Sequence, residues 1–322
     1  MAMETRMLMV TGRGRIEMVP RKLPELGDHG VLLKVLKSLV SPGTERAYIL
    51  GLANTPDNYP IKSGYSAVSQ VLETGPAVTA FRPGDRVAGF HSTHQSHDVQ
   101  PDDSLVQVPD AVDDEQAAFG ALGLIAMQGV RKARLELGES CAVIGMGPVG
   151  QVALQIAAAA GAWPLLAIDK ASNRLELARL CVACTTVVGC AGVPAASMDV
   201  VVDATGFPDA VPSALDMAAP NGRVVLLGST RGDCRINVYR DVHRKGLSLI
   251  GAHVNTVPAH DRSPGRWTRL DDLRIFYQLL ERRKINLAPL ITDRCDSADI
   301  IAVYERRILT WDPTAVGVIF NW

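Results

Sequence analysis

The sequence lacks the features of membrane-spanning, secreted and nucleic-acid-binding proteins. No apolar run reaches the length of a membrane-spanning helix, and the N-terminal stretch MAMETRMLMV is too short and too polar for a signal peptide. The formal net charge of −1 provides no overall attraction to nucleic acid or to an anionic membrane surface. The 6 cysteines are typical of cytosolic thiols rather than of a disulfide framework. We therefore expect a cytoplasmic protein that binds neither nucleic acid nor membranes.

Internal repeats and low-complexity segments are also absent, and the length and composition favour a folded chain of two domains. At 322 residues the chain is long for one domain and comfortable for two. Hydrophobic residues make up 47% of the sequence and the mean hydropathy is +0.11, which suits a well-filled core.

The most informative stretch runs from Ser140 to Asp169. An apolar run leads into a G-x-G-x-x-G pattern, after which an Ala-rich helical segment and a second apolar run follow. The first glycine of such a pattern permits a tight strand-to-helix turn, the second lets the backbone approach a pyrophosphate, and the third allows close packing of helix on strand. The helix N-terminus holds the negative charge. The residues of the pattern are Gly145, Met146, Gly147, Pro148, Val149 and Gly150.

The acidic residue that closes this stretch completes a dinucleotide-binding pattern. Asp169 lies about 20 residues after the glycines, where a carboxylate accepts hydrogen bonds from the ribose hydroxyls of NAD. A strand, a helix, a second strand and an acid all fall in the expected places. The stretch therefore predicts a dinucleotide site, with a glycine turn that binds no ligand as the alternative.

The segments that follow continue the alternation of strand and helix. Helices are predicted over Asn173–Cys181 and Pro208–Ala218, and strands over Val200–Ala204 and Val224–Gly228. This alternation predicts a parallel, doubly wound sheet.

The two ends of the chain have a different character, rich in short strands and turns. In residues 1–112 the predicted elements are a strand over Val31–Ser38, a turn and strand at Gly84 to Val87 and an extended piece over Ser104–Pro109. A helix is predicted from Asp113 to about Arg134, before the glycine pattern. From Ile236 onward the predicted elements are a strand over Leu247–Ala252, an amphipathic helix through Leu273, Phe276, Tyr277 and Leu280, a helix over Asp299–Leu309 and a strand over Val316–Phe320. We expect residues 1–112 and 255–322 to form a β-rich substrate domain and residues 113–254 an inserted dinucleotide-binding domain.

This order resembles the medium-chain dehydrogenase/reductase superfamily over nearly the whole chain. The resemblance implies an α/β fold: a GroES-like β-rich catalytic domain with an inserted Rossmann domain, which is a doubly wound parallel sheet. Two stretches look like the zinc-free branch that contains bacteriochlorophyllide dehydrogenase and threonine-dehydrogenase-like oxidoreductases. The marks of the superfamily and the branch are Gly84-Asp85-Arg86-Val87, the glycine pattern, Gly317-Val318-Ile319-Phe320, Ser41-Pro42-Gly43-Thr44-Glu45 and Lys62-Ser63-Gly64-Tyr65-Ser66.

The sequence departs from the zinc alcohol dehydrogenases of this superfamily at each zinc ligand. By the resemblance, Pro42 stands at the position of the ligand cysteine, Tyr65 at that of the ligand histidine and Ser66 at that of the adjacent glutamate. The region of the third ligand, residues 119–122, offers no metal-binding side chain, and the four-cysteine structural zinc lobe is absent. A catalytic zinc needs three protein ligands and an open position, so we expect no metal.

Without a metal, some other group must stabilise or protonate the carbonyl oxygen during hydride transfer. Thr44 matches the hydroxyl residue that bonds the substrate alcohol in the zinc enzymes, but it is no acid at neutral pH. Tyr65 can donate to a developing alkoxide, or it can be a packed aromatic in the pocket floor. Glu45 can orient a neighbouring catalytic group, or it can pair with an arginine such as Arg86.

Three histidines, His91, His94 and His97, form an H-x-x-H-x-x-H pattern. Their flanking residues predict strand and loop, where offsets of three point successive side chains to opposite faces, so the spacing does not favour a metal site. The superfamily layout implies that this segment borders the active site. His94 can therefore contact the substrate or donate a proton, with a solvated loop histidine as the alternative.

The choice between NAD and NADP depends on the residues after the second apolar run. Asp169 favours NAD(H), because a carboxylate repels a 2′-phosphate, whereas Lys170 and Arg174 can bind that phosphate if Asp169 turns away. By the resemblance, four further residues end the strands beside the adenosine and nicotinamide portions: Thr205, Gly206, Gly228 and Ser229.

We expect a zinc-independent, NAD(P)-dependent oxidoreductase that interconverts a secondary alcohol and a ketone, in a biosynthetic pathway. One alternative is an NAD(P)H-dependent reductase of an activated C=C bond, and another is a dinucleotide-binding sensor or structural protein without turnover. The expected partners are a small-molecule substrate and a second copy of the chain, because an apolar strand at Leu247–Ala252 can pair across a two-fold axis.

Overall fold

The computed structural model describes residues 3–260 and 267–322. They form two compact units. The first unit comprises the described residues of Met1–Ala121, Pro258–Arg282 and Ile291–Trp322, and the second comprises Leu122–Val257 and Arg283–Leu290. Within the described residues, no helix has the length and apolar character needed to cross a membrane.

Numbered along the chain, the strands are β1 (Glu4–Gly12), β2 (Arg15–Lys22), β3 (Gly30–Leu39), β4 (Ile61–Lys62), β5 (Ala67–Thr74), β6 (Arg86–Gly89), β7 (His97–Pro101), β8 (Leu105–Gln107), β9 (Cys141–Ile144), β10 (Leu165–Asp169), β11 (Thr185–Val188), β12 (Met198–Asp203), β13 (Ala218–Leu226), β14 (Ser248–Gly251), β15 (Ile291–Asp296) and β16 (Gly317–Asn321). The helices are α1 (Pro42–Leu50), α2 (Asp114–Ala117), α3 (Gly120–Ala133), α4 (Pro148–Ala159), α5 (Ser172–Cys181), α6 (Ala210–Met217), α7 (Arg269–Glu281) and α8 (Ile300–Val303). Single 3-10 turns lie at Asp102–Ser104, Cys190–Gly192, Val254–Thr256, Ala288–Leu290 and Ser297–Asp299, and π-helical segments at Tyr239–His243 and Tyr304–Leu309.

The second unit contains the predicted parallel sheet. Its six strands lie in the order β11-β10-β9-β12-β13-β14, and every neighbouring pair is parallel. Val200, Val201 and Val202 of β12 are buried on both faces of the sheet, as expected for a parallel strand covered by helices. The strand order reverses between β9 and β12, so the carboxyl ends of these two strands form the switch point at which doubly wound sheets bind ligands.

The first unit contains two sheets that are mostly antiparallel. The larger sheet runs β15-β16-β3-β5-β6-β8, with β7 also paired to β3, and the smaller runs β2-β1-β4. The prediction of a strand over Val31–Ser38 is confirmed within β3. The predicted turn before β6 is also confirmed, with Gly84 at φ +97°, a conformation that glycine adopts without strain. Together, the two units confirm the predicted α/β fold class, a β-rich part with a Rossmann-like sheet.

The helix predicted from Asp113 to about Arg134 is two helices, α2 and α3. Asp113 caps the first one, because its side chain accepts from Gln116 N at 2.8 Å. The break has a side-chain cause. Ser66 Oγ donates to Ala118 O at 2.6 Å and accepts from Ala121 N at 3.2 Å, so it replaces the helical partner of Ala121. Tyr277 Oη donates a hydrogen bond to the carbonyl oxygen of Ala117 at 2.9 Å.

Other boundaries differ from the prediction in smaller ways. The strand predicted at Val224–Gly228 belongs to β13, which begins six residues earlier, at Ala218. The last predicted helix begins as α8 and continues in the π-helical segment that carries Tyr304. Helix α1 has no strong apolar period and was not predicted, although Pro42 occupies its first turn as a proline can.

Candidate active site

The glycine turn after β9 is tightly built. Gly145 has φ +92°, and a Cβ at this position would lie 2.8 Å from Thr205 Cγ2. A Cβ at Gly150 would lie 1.7 Å from the carbonyl oxygen of Gly145, so the first turn of α4 is packed directly on the end of β9. Only glycine permits these two approaches, in agreement with the roles predicted for the first and third glycines.

The middle glycine of the turn has a different environment. Gly147 is the N-cap of α4, and a Cβ there would meet no protein atom within 4 Å. Pro148 occupies the first turn, where its missing N–H costs nothing. The N-terminus of α4 therefore presents its dipole to open space beside Gly147, which is the environment that a pyrophosphate requires.

Two further loops lie at the carboxyl edge of the same sheet. Asp203 ends β12, and its Oδ1 accepts from Thr205 N at 2.9 Å and from Thr205 Oγ1 at 2.6 Å. Burial raises the pKa of the Asp203 carboxyl. A Cβ at Gly228 would lie 2.5 Å from Gly206 N, and a Cβ at Gly206 would lie 2.9 Å from Ser229 O. The loops after β12 and β13 are thus packed backbone against backbone, with no side chain between them.

Asp169 lies at the end of β10, beside the glycine turn. Its Oδ2 accepts from Met146 N at 2.7 Å, and its Oδ1 accepts from Ala171 N at 2.8 Å. Arg174 Nη1 lies 4.0 Å from Asp169 Oδ2, and Lys170 is exposed. The carboxylate is therefore fixed next to the turn, with two cations near it. These features, the open Gly147 and the fixed Asp169, fit a nicotinamide dinucleotide.

A small pocket in the first unit collects three of the four predicted catalytic residues, Thr44, Glu45 and Tyr65, whereas His94 does not line it. The lining comes from β1, α1, β4 and the segment between β4 and β5. The lining residues are Val10, Thr44, Glu45, Tyr48, Lys62, Ser63, Gly64 and Tyr65. Thr44 and Tyr65 are both half-buried and line the pocket.

Tyr65 is a fixed hydrogen-bond donor. Its Oη donates to Ser41 Oγ at 2.6 Å, and its ring packs edge-on against Phe90 with centroids 6.3 Å apart. Burial, with a smaller contribution from the negative charge of Glu45, raises the pKa of Tyr65 to about 12. The hydroxyl therefore remains protonated throughout the neutral range, and its one proton is directed at Ser41 Oγ.

Glu45 is a buried carboxylate with four hydrogen-bond donors around it. Its Oε1 accepts from Ser41 N at 2.7 Å, and its Oε2 accepts from Ser63 Oγ at 2.8 Å, from Tyr304 Oη and from His94 Nε2 at 3.1 Å. Burial alone would raise the pKa of Glu45, but the adjacent His94 ring and these hydrogen bonds outweigh it and lower the pKa.

His94 is fully buried and both of its ring nitrogens have partners. Nε2 faces Glu45, and Nδ1 lies 2.7 Å from Ser38 Oγ, which also accepts from Trp322 Nε1 at 2.7 Å. Since the indole N–H donates to Ser38, the Ser38 hydroxyl can donate to Nδ1, which makes Nε2 the donor to Glu45. The ring has no nitrogen left for a substrate in this arrangement.

The alternative pairing of Glu45 with Arg86 is wrong. Arg86 Nη1 donates to Asp114 at 2.8 Å and to Val112 O at 2.8 Å, and it ties β6 to the start of α2. Sequence reasoning missed Ser41, Ser63, Ser38, Tyr304 and Trp322 as members of the Glu45 network. Ser41 and Ser63 belong to the two recognised motifs, but no pattern pointed to the other three.

The residues of the first unit do not form a set of zinc ligands. No cysteine, histidine or carboxylate stands at Pro42, at Tyr65 or in residues 119–122. The hydroxyl of Ser66 is hydrogen-bonded to the backbone at the break between α2 and α3. His91 is exposed beside Phe90, His94 is buried, and His97 Nδ1 contacts Ser96 Oγ at 3.1 Å. Across residues 3–260 and 267–322, no three His, Cys, Asp or Glu side chains are grouped to hold a metal.

Comparisons with known proteins show that the chain is similar to dehydrogenases. Residues 148–271 match the family model described as "Zinc-binding dehydrogenase". The chain is 26% identical to D-guloside 3-dehydrogenase of Escherichia coli K12 over 240 residues, which are 71% of this chain and 68% of that protein. It is 23% identical to rat sorbitol dehydrogenase over 343 residues, which are 92% and 91% of the two chains.

A solved structure matches nearly the whole fold. It is a dehydrogenase of the zinc-binding type from Sinorhizobium meliloti 1021, bound to NADP, with a TM-score of 0.83 and 20% sequence identity. The match covers 99% of this chain and 100% of that one. At this identity the match shows the fold.

Proposed function

We propose that the chain is a member of the medium-chain dehydrogenase/reductase superfamily and that it interconverts a secondary alcohol and a ketone with a nicotinamide dinucleotide and without zinc. The sequence relatives are alcohol and polyol dehydrogenases, which supports oxidoreduction of a secondary alcohol with NAD(P). The observation that carries the zinc-free proposal is Tyr65, a protonated donor at the position that resembles a zinc-ligand histidine.

In this proposal the substrate oxygen lies against Tyr65 and Thr44. The Tyr65 hydroxyl donates to Ser41 Oγ in the free protein, so in this proposal it turns from Ser41 to the substrate oxygen and stabilises the charge that develops there. The dinucleotide supplies the hydride chemistry when it is bound. The residues of the second unit that we propose to hold it are Gly145, Gly147, Pro148, Val149, Gly150, Asp169, Lys170, Arg174, Thr205, Gly206, Gly228 and Ser229. We also retain residues 1–112 with 255–322 and residues 113–254 as the proposed substrate and dinucleotide domains.

The test is a titration of purified, chelator-treated protein with NADH and with NADPH, followed by turnover assays on secondary alcohols and ketones. We expect dinucleotide fluorescence to change on binding, turnover to survive chelation, and metal analysis to find less than about 0.1 zinc per chain. A stoichiometric zinc whose removal abolishes turnover would overturn the zinc-free proposal. Turnover only of conjugated ketones would favour reduction of an activated C=C bond, and binding without turnover would favour a sensor.

Asp169 provides a prediction about cofactor choice. We expect the parent protein to prefer NADH, and Asp169→Asn to raise the affinity for NADPH relative to NADH by about tenfold, which corresponds to about 1.4 kcal/mol. The substitution removes the carboxylate that repels a 2′-phosphate, while Lys170 and Arg174 remain beside it. Dissociation constants for both cofactors measure the effect. The exposed Glu176→Gln on α5 is the matched control, and an unchanged ratio in Asp169→Asn would show that Asp169 does not select the cofactor.

A further inference from the structure

A buried carboxylate and imidazole lie directly behind the Tyr65 pocket. Glu45 is 3% exposed and His94 is 0% exposed, and Glu45 Oε2 lies 3.1 Å from His94 Nε2. Burying a carboxylate is costly unless it is paired and hydrogen-bonded, and this one has donors on both oxygens. Glu45 borders the pocket, but both of its oxygens already have hydrogen-bond donors, and His94 has no exposed surface, so we expect their effect on the reaction to pass through a neighbour.

One link from this pair to Tyr65 passes through Ser41. The backbone N–H of Ser41 donates to Glu45 Oε1 at 2.7 Å, which fixes Ser41 at the start of α1. The hydroxyl of the same serine accepts from Tyr65 Oη at 2.6 Å. The position of the carboxylate therefore determines where the phenol finds its acceptor.

A second link passes through the backbone that leads into Tyr65. Ser63 Oγ donates to Glu45 Oε2 at 2.8 Å, and His94 N donates to Ser63 O at 3.0 Å. Gly64 has φ +81°, and a Cβ there would lie 2.4 Å from His94 Cδ2. The segment from Ser63 to Tyr65 thus lies on the imidazole ring, so the two links hold Tyr65 at its hydroxyl and at its backbone.

We propose that Glu45 and His94 are a positioning pair that holds the Tyr65 phenol in place beside Ser41, from which its hydroxyl turns to donate to the substrate oxygen. The inference rests on the proposed function, since it assigns Tyr65 a donor role there. A misplacement of about 1 Å in a catalytic group can reduce a rate by about 10²-fold, so a pair that removes this freedom has a large effect on kcat without touching the substrate. The charge of Glu45 also helps to keep Tyr65 protonated, in addition to the effect of burial on the pKa.

The experiment compares Glu45→Gln and Ser41→Ala with the exposed control Glu73→Gln of β5. Steady-state kinetics separate kcat from KM. The Tyr65 titration is followed by tyrosinate absorbance, as the difference between each protein and the same protein carrying Tyr65→Phe. For Glu45→Gln we expect kcat to fall by about 10- to 100-fold with KM within about twofold. The Tyr65 midpoint should fall, because the negative charge of Glu45 helps to raise the pKa of Tyr65.

Ser41→Ala removes only the hydroxyl and keeps the backbone N–H that bonds Glu45, so it tests the first link without disturbing the buried charge. We expect kcat to fall by about 10-fold. The Tyr65 midpoint should rise rather than fall, because the hydrogen bond to Ser41 lowers the pKa that burial raises. The two variants therefore shift one titration in opposite directions, which a general loss of stability would not do.

Each outcome decides the proposal. Parent values of kcat and of the Tyr65 midpoint in both variants would overturn it. If Glu45→Gln does not fold, Ser41→Ala decides alone, and an unchanged kcat there overturns the positioning role. If the parent protein turns over no alcohol or ketone, the proposed function is wrong. The titration midpoints of Tyr65 in Glu45→Gln and Ser41→Ala then still test whether Glu45 and His94 position Tyr65.

Discussion

Replacing Tyr65 with phenylalanine is expected to lower kcat by about 10²- to 10³-fold and to leave dinucleotide affinity unchanged. The substitution keeps the ring that packs on Phe90 and removes only the donor at Ser41. Loss of a single preorganised donor to an oxyanion has effects of this size when no metal shares the charge. The measurements are kcat on the best substrate from a panel of secondary alcohols and ketones, and a fluorescence titration with NADH.

The matched control is Tyr239→Phe, because Tyr239 is 63% exposed and lies in the second unit. We expect it to keep the kcat of the parent. A Tyr65→Phe variant with kcat within about twofold of the parent would exclude the phenol as the donor. It would then leave Thr44 as the only predicted hydroxyl of the pocket.

The second large effect is expected at the glycine turn. Substitution of one glycine should weaken dinucleotide binding, and substitution of another should reduce the stability of the fold. Gly147→Val should weaken dinucleotide binding by about 100-fold or more, since the new side chain would fill the open space at the N-terminus of α4. The fold should tolerate it at a cost of about 1 kcal/mol, because no protein atom lies within 4 Å of that Cβ and valine is only a poorer N-cap than glycine.

Gly150→Ala should instead damage the fold. Its Cβ would lie 1.7 Å from a backbone oxygen, so the end of β9 or the first turn of α4 must move, and we expect a loss of about 3 kcal/mol or more in unfolding free energy. Thermal or urea unfolding measures the stability, and cofactor titration measures the binding. A Gly147→Val protein that binds both dinucleotides as the parent does would show that this turn is not the cofactor site.

The sequence predicted the second unit better than the first for physical reasons. Parallel strands buried on both faces are continuous apolar runs, and β9, β10 and β12 are each such a run beside glycines or a helix. Helix α1 has no comparable signal, because its buried positions include a proline and a carboxylate. The break between α2 and α3 depends on Ser66 and Tyr277, which are far away in sequence, so no local pattern could reveal it.

In the candidate site, too, features that lie close together in the sequence were predicted, and contacts between distant segments were not. The glycine turn and Asp169 lie within one short stretch, and their geometry is the one that the pattern implies. The partner of Glu45 was not predictable, since charge alone made Arg86 as good a candidate as any histidine. The burial of His94 at 0% and its contact with Ser38 depend on segments that meet only in the folded first unit.

The network around Glu45 has a consequence for the order in which the protein can become functional during synthesis. Glu45 and Tyr304 are 259 positions apart, and Ser38 and Trp322 are 284 positions apart. Residues 122–257, which carry the glycine turn, are made between them. A growing chain folds its completed parts first, so the cofactor-binding half has all its strands before the ribosome has supplied the last partners of Glu45. During synthesis we therefore expect the proposed dinucleotide site to be complete before the proposed substrate pocket.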